Sequence, residues 1–170
     1  MTDLSDTPLP SALWKQLSVE RRLAAAEAFW RDEHSVAEQG ELLGTIAQRI
    51  KFRIKSVVAM PVEKKAHQVV ALPTVSEPAA ARLLVVYHVA HQRPMMGRFL
   101  DALEIAHEDG MISDEEMPPP PPERLAAAAG TLASAFPAED VSLYLSTLIW
   151  QDPETWGGLA GLPEVLPPQT

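Results

Sequence analysis

The sequence predicts an all-α protein, folded as a single-domain bundle of six or seven orthogonal or antiparallel helices. Prolines fall between the apolar segments rather than inside them, and proline is tolerated in the first turn of a helix but disrupts its interior. Within the segments, apolar residues recur every three or four positions, a spacing that places them on one face of a helix.

The first third of the chain predicts an arm, a short helical turn and a first main helix. Residues 1–10 contain acids and prolines, and we interpret them as a flexible N-terminal arm. The helical core is expected over residues 11–117. Ser18 is a suitable N-cap for a helix ending near Asp32, because its hydroxyl can accept a hydrogen bond from a first-turn amide.

The strongest periodic pattern predicts one long helix over residues 36–60. Its apolar stripe advances by four and three residues, a heptad-like spacing that keeps one face against a partner helix. The stripe consists of Val36, Gly40, Leu43, Ala47, Ile50, Ile54 and Val57, and Phe52 falls opposite it. The segment RIKFRIK also alternates as a half-buried strand does, but no second strand is apparent to pair with it. We therefore expect a helix.

Two helices with a tight connection are expected next, after a short one over residues 61–72. Residues 79–91 are apolar nearly all round, which is typical of a helix surrounded by others. Pro94 begins the following helix, and Gly110 is suited to a left-handed turn at its C-terminus. Ser113 and Glu116 match a capping box for one further turn.

The last third predicts a spacer followed by a helical pair. Residues 118–122 are five prolines, expected to be a stiff polyproline spacer. Residues 123–170 should pack on the core as two helices, near 124–136 and 141–150, with a tail too rich in glycine and proline for helix.

Composition excludes several classes of protein. The chain has no cysteine, so it forms neither disulfides nor thiolate sites. No apolar run approaches the ~20 residues that span a bilayer, and the N-terminus lacks the basic and apolar regions of a secretory signal. We expect a cytoplasmic protein that does not enter membranes.

The net charge of −9 is unevenly distributed. Residues 1–93 carry a net charge of +2 and residues 94–170 a net charge of −11. Such an acidic surface repels nucleic acid and can attract a basic partner.

The histidines suggest a metal site, but their spacing does not support one. Glu104 and His107 form an E-x-x-H motif, as in ferritin-like di-iron proteins, opposite His88 and His91 on the preceding helix. Antiparallel helices would offset these groups by roughly 6 Å at 1.5 Å per residue, and a second E-x-x-H is lacking. We expect no metal and no cofactor.

Residues 108–116 resemble the second half of an EF-hand loop. Gly110 would occupy loop position six, and Asp109, Ile112, Ser113 and Glu116 would fall at suitable places. Ile105 and His107, however, stand where the first half must supply oxygen ligands. We therefore expect no calcium site.

Two further motifs have a functional and a structural interpretation. Arg49, Lys51, Arg53 and Lys55 form the main concentration of positive charge, which could contact nucleic acid or another anion. Because the whole chain is acidic, we interpret them as charge flanking a helical stripe. Pro119, Pro122 and Arg124 match P-x-x-P-x-R, a ligand of SH3-type domains, but a spacer explains the same prolines.

The sequence contains no nucleophile elbow, phosphate-binding glycine loop, zinc-protease motif or dinucleotide fingerprint. We expect a non-enzymatic interaction or regulatory module that presents its acidic C-terminal half to another protein. The alternative is a small-molecule or metal-binding pocket, catalytic or not, between helices. That pocket would be lined by Tyr87, His88, His91, Asp101 and His107. Self-association is left open, because the heptad-like stripe can also pack between chains.

Overall fold

The computed structural model describes residues 4–113 and 117–165 and confirms the all-α prediction. The described residues form ten α-helices: α1 (Pro10–Gln16), α2 (Val19–Arg31), α3 (Val36–Ile50), α4 (Ile54–Val58), α5 (Val62–Ala71), α6 (Glu77–His91), α7 (Arg93–Ala102), α8 (Pro122–Ala135), α9 (Ala138–Gln151) and α10 (Pro153–Trp156). A 3₁₀-helix, Gly157–Leu159, follows α10. Strands β1 (His107–Glu108) and β2 (Met111–Ile112) form an antiparallel hairpin between α7 and α8.

The helix count exceeds the predicted six or seven for two reasons. The expected long helix is interrupted, and short helices form at Pro10–Gln16 and Pro153–Trp156. Prolines precede or open several helices, as predicted: Pro94, Pro122 and Pro153 lie at the first or second position of α7, α8 and α10. Among the described residues, no helix is both long and apolar enough to span a bilayer.

The chain divides into two compact units. The N-terminal unit is Pro10–Ala90, and the C-terminal unit contains the described residues from 91 onward together with residues 4–9. The predicted arm, core, spacer and tail boundaries stay predictions. Within the C-terminal unit, the indole N–H of Trp150 donates to the carbonyl of Pro8 at 2.7 Å.

The N-terminal unit is built around α2 and α5, which pack against each other. Ser18 caps α2 as predicted, because its Oγ accepts from the amide of Arg21. At the other end of α2, the Gln39 side chain donates to the carbonyls of Phe29 and Asp32 at 2.7 and 3.0 Å. These bonds satisfy carbonyls that a helix end leaves without partners and tie the start of α3 to α2.

The predicted long helix over residues 36–60 is wrong. Helix α3 ends at Ile50, Lys51 adopts a left-handed conformation (φ 59°, ψ 40°), and α4 begins at Ile54. RIKFRIK forms no strand either, so the segment is two helices joined by a sharp turn.

The face that α3 buries also differs from the predicted stripe. The residues that α3 buries are Leu42, Ile46 and Ala47, of which only Ala47 belongs to the stripe. Val36, Gly40 and Ile54 are exposed, and Leu43 and Ile50 are half-buried. Several apolar residues of the predicted stripe are therefore in contact with solvent.

The core of the C-terminal unit surrounds Phe99 of α7. Its ring meets the rings of Tyr144 and Trp156, with centroids 5.8 Å away in each case. Aromatic pairs at such distances prefer tilted or edge-to-face arrangements, and both pairs adopt them. Trp156 belongs to α10, so the tail beyond α9 is helical in part, contrary to the prediction that its glycines and prolines prevent helix.

The predicted end of the Pro94 helix is also corrected. Helix α7 stops at Ala102, and Gly110 lies instead in the two-residue turn of the β1–β2 hairpin, after Asp109. Both turn residues have positive φ, 50° and 88°, as a type I′ hairpin turn requires. The capping box at Ser113 and Glu116 lies partly outside the described residues, because Glu116 is not described.

Gly110 and Gly130 provide a matched test of this packing. A Cβ at Gly110 would lie 2.9 Å from Met96 Cβ and 3.2 Å from the Arg93 carbonyl, whereas at Gly130 of α8 it would meet nothing within 4 Å. We expect Gly110→Ala to lower the free energy of unfolding by about 2–4 kcal/mol through strain and overpacking. Gly130→Ala should raise it by about 0.5–1 kcal/mol, because alanine restricts the unfolded chain. Urea denaturation checks both. If both variants changed the free energy of unfolding in the same direction and by the same amount, this would contradict the position of the hairpin against α7.

Candidate functional site

A solvent-exposed groove runs beside α3 and is closed on one side by the turn into α4. The groove exists because the chain folds back at Lys51 instead of continuing as a helix. The amide of Phe52 donates to the carbonyl of Ala47 at 3.0 Å, the bond by which a left-handed residue closes a helix end. The carbonyl of Arg53 then accepts from the amides of Ser56 and Val57, which starts α4.

The groove has a floor of small residues and a wall of larger ones. Its volume is about 920 Å³. Residues from α3 and from the turn into α4 line it: Gly40, Glu41, Gly44, Thr45, Ala47, Gln48, Phe52, Arg53, Ile54 and Lys55. A Cβ at Gly40 or Gly44 would meet nothing within 4 Å, so the backbone of α3 is open to close approach there.

Large apolar side chains are exposed in and beside the groove. Phe52 is 50 % exposed, Ile54 54 % and Val58 51 %, whereas Val57 between them is completely buried. Val36, at the start of α3, is 69 % exposed. Single exposed apolar residues are ordinary, but neighbouring ones in a concave surface are typical of a binding site. We call Phe52, Ile54 and Val58 the apolar wall; Phe52 and Ile54 line the groove itself, and Val58 lies one turn after Ile54 on α4.

The predicted basic cluster lies on the same turn. Arg49, Lys51, Arg53 and Lys55 are all exposed, and within residues 4–113 and 117–165 none of them forms an ion pair. Beyond the cluster, Lys65 lies over the Trp30 ring, with Nζ 5.1 Å from its centroid. The interpretation as charge flanking a continuous helical stripe is wrong in one respect, since the stripe is broken at the cluster itself.

The predicted pocket residues fall in both units. Tyr87 and His88 are buried on α6 in the N-terminal unit, and His88 Nδ1 donates to the Leu84 carbonyl at 2.7 Å. His91, Asp101 and His107 belong to the C-terminal unit, where His91 and Asp101 are exposed. A pocket shared by all five residues stays a prediction.

Asp101 and His107 meet directly. His107 Nε2 donates to Asp101 Oδ1 at 2.7 Å, and the amide of Gly110 donates to His107 Nδ1 at 3.0 Å. The neutral ring with its proton on Nε2 satisfies both bonds. A general base needs a free nitrogen within reach of its substrate, and here both nitrogens are used to hold the hairpin turn. The Asp101–His107 pair therefore has a structural role, which is to hold the hairpin turn.

The partial metal motifs do not assemble in the described residues. Across residues 4–113 and 117–165, no group of three or more histidines, aspartates and glutamates could hold a metal ion. Glu104 of the E-x-x-H motif pairs with Arg124. In the EF-hand-like segment, Asp109 and Gly110 form the hairpin turn, and Glu116 lies outside the described residues.

The proline motif is divided between two structures. Pro121 has the extended backbone of a polyproline helix (φ −60°, ψ 147°), but Pro122 and Arg124 already belong to α8. Because the SH3-type ligand needs one continuous polyproline helix, the first turn of α8 would have to unwind to complete it.

Several carboxylates of the acidic half have intramolecular partners. Asp109 lies 3.7 Å from Arg93, Asp152 caps α10, and Asp140 is buried. Burial also raises the pKa of Tyr144 on α9 far above its usual range, which keeps this phenol neutral. These contacts all lie within the C-terminal unit.

Comparison with known proteins adds no assignment: the chain matches no protein-family model, no curated protein and no solved structure.

The sequence predicted the cations of the groove but not the groove. Phe52 lies off the predicted stripe, and the left-handed Lys51 is not a glycine, so no residue type marks the helix end. The signal that could have indicated a turn is the alternation in RIKFRIK, which departs from the helical period of the preceding residues.

Substitution by glycine tests the turn at Lys51. A left-handed conformation costs a non-glycine residue about 1 kcal/mol, so Lys51→Gly should leave the free energy of unfolding unchanged or raise it by up to about 1 kcal/mol. Gln48→Gly, in the last turn of α3, should lower it by about 1 kcal/mol. Thermal or urea unfolding measures both. If Lys51→Gly and Gln48→Gly lowered the free energy of unfolding by similar amounts, this would indicate a continuous helix and contradict the turn at Lys51.

Proposed function

We propose that this chain is a non-enzymatic helical module that binds another protein, and that the groove beside α3 is its contact surface. The observation that supports the proposal is the apolar wall. It is exposed on a segment whose neighbours, Val57 and Ala47, are buried, so the wall is not simply a poorly packed region. The cytoplasmic location expected from the sequence belongs to the same proposal.

Burial of the wall would supply the driving force for binding. Transfer of apolar surface out of water contributes about 25 cal/mol per Å², and a few well-buried anchors dominate most interfaces. Phe52 is suited to be such an anchor, because its ring is half exposed and its backbone is held by the bond to Ala47. The small residues Gly40 and Gly44 let the partner's backbone approach α3 closely.

The acidic C-terminal half is a second proposed contact surface, for a basic partner. It is supported by exposed carboxylates that have no ion pair within the described residues: Glu108, Glu123, Glu139 and Glu154. The groove is the better supported surface, because it combines apolar area with charge, whereas carboxylates alone bind weakly in water.

Site-specific photo-crosslinking in the source cells tests the proposal. A benzoylphenylalanine at position 52 should give a discrete protein adduct, whereas the same residue at position 15, which is exposed on α1 and belongs to neither proposed contact surface, should give none. Gly44→Trp should abolish the adduct at position 52, because Gly44 lines the groove and an indole there would occupy the space that the partner needs; a Cβ at this position meets nothing within 4 Å.

Gly130→Trp is the matched control, since a Cβ at Gly130 of α8 also meets nothing within 4 Å and Gly130 does not line the groove. It should preserve the adduct. No adduct at position 52, or an adduct that survives Gly44→Trp, would refute the groove as the contact surface.

A further inference from the structure

We infer that the groove binds an amphipathic helix with an acidic face. This inference rests on the proposed function, because it identifies the partner of the same groove. Three features of the chain support it: the shape of the groove, its apolar wall and the cations around the turn into α4.

The shape fits a helix. The groove is lined by α3 residues between Gly40 and Gln48, a stretch of about 13 Å at 1.5 Å per residue, and Gly40 and Gly44 lie one turn apart within it. A helix laid along such a floor contacts it through residues at i, i+3 or i+4, and i+7. An occupant of about two to three turns would extend along this part of α3 and reach Phe52 and Ile54 of the apolar wall.

The apolar wall requires an apolar face on the occupant. Ile54 and Val58 are four residues apart, so both point to one side of α4, and both are about half exposed. Nucleic acid would meet this wall with phosphates and sugars and would gain little from it.

The cations specify the charge of the occupant's other face. Segment 49–55 contains Arg49, Lys51, Arg53 and Lys55 and no acid. Like charges this close repel one another when no carboxylate separates them. Aspartates or glutamates beside the apolar face of the occupant would relieve this repulsion and set its orientation. The same four cations oppose pairing of two identical grooves, which is why we choose a separate partner over a second copy.

Selection from a displayed library of random 20-residue peptides tests the inference. The full chain is the bait, and Gly44→Trp is the counter-selection bait that removes peptides bound elsewhere. We expect enriched peptides with apolar residues at helical spacing and a net negative charge. Enriched peptides with a neutral or positive charge would overturn the inference, as would no enrichment.

Charge reversal then tests the role of the cations in the peptides selected. Measured by fluorescence anisotropy, affinity should fall about tenfold or more in Arg53→Glu/Lys55→Glu, as expected for paired charges at an interface. Lys15→Glu/Lys64→Glu changes the net charge equally at two exposed positions outside the groove. That control should change affinity less than about threefold, because screening weakens distant charges. Equal losses in both variants would overturn the inference.

Two further measurements test whether the groove instead binds nucleic acid or a second copy of this chain. Salt-sensitive binding of a 20-base-pair DNA duplex that Gly44→Trp abolishes would replace the inference with nucleic-acid binding. Sedimentation that shows a dimer of the full chain, lost in Gly44→Trp, would replace it with self-association. If the adduct at position 52 forms but acidic peptides are not selected, the inference fails while the proposed function stands.

Discussion

The groove depends on a single backbone constraint, the left-handed residue that ends α3 at Lys51. The conformation is unfavourable for a lysine by about 1 kcal/mol, so other interactions must stabilise the turn. The amide of Phe52 bonds the Ala47 carbonyl, and α4 completely buries Val57. Full burial of a valine contributes about 1.5–3 kcal/mol, which is enough to offset the strain.

The same turn produces both features of the proposed contact surface. Because the helix is broken between Ile50 and Ile54, Phe52 and Ile54 lie beside α3 and line the groove rather than continuing along the helix. The cations at alternate positions from Arg49 to Lys55 are brought around this wall. Apolar area and charge therefore come from ten consecutive residues, 49–58, and neither would form a groove in a continuous helix.

Local signals in the sequence were sufficient for most of the helices. Ser18 caps α2, and prolines start α7, α8 and α10, because these residues act through the backbone of their own turn. The positions of helix ends were less predictable. Gly110 has the left-handed geometry expected of it, but in a hairpin held by Asp101 and His107, a contact between residues that are not adjacent in the chain.

At the candidate site, helical periodicity does not predict which residues are buried. The stripe from Val36 to Val57 satisfies helical spacing throughout, yet the buried face of α3 is that of Leu42 and Ile46. Spacing specifies which residues share a face but not which of two adjacent faces meets the core. Here the bonds from Gln39 to the end of α2 hold α3 in its observed orientation, and that tertiary contact cannot be derived from the stripe alone.

Backbone chemical shifts of residues 47–58 in solution test the central claim most directly. We expect helical Cα shifts up to Ile50, their loss at Lys51 to Arg53 with a coupling constant that indicates positive φ at Lys51, and helical shifts again from Ile54. Uninterrupted helical shifts across all twelve residues would contradict the turn and, with it, the groove and the partner inferred from it.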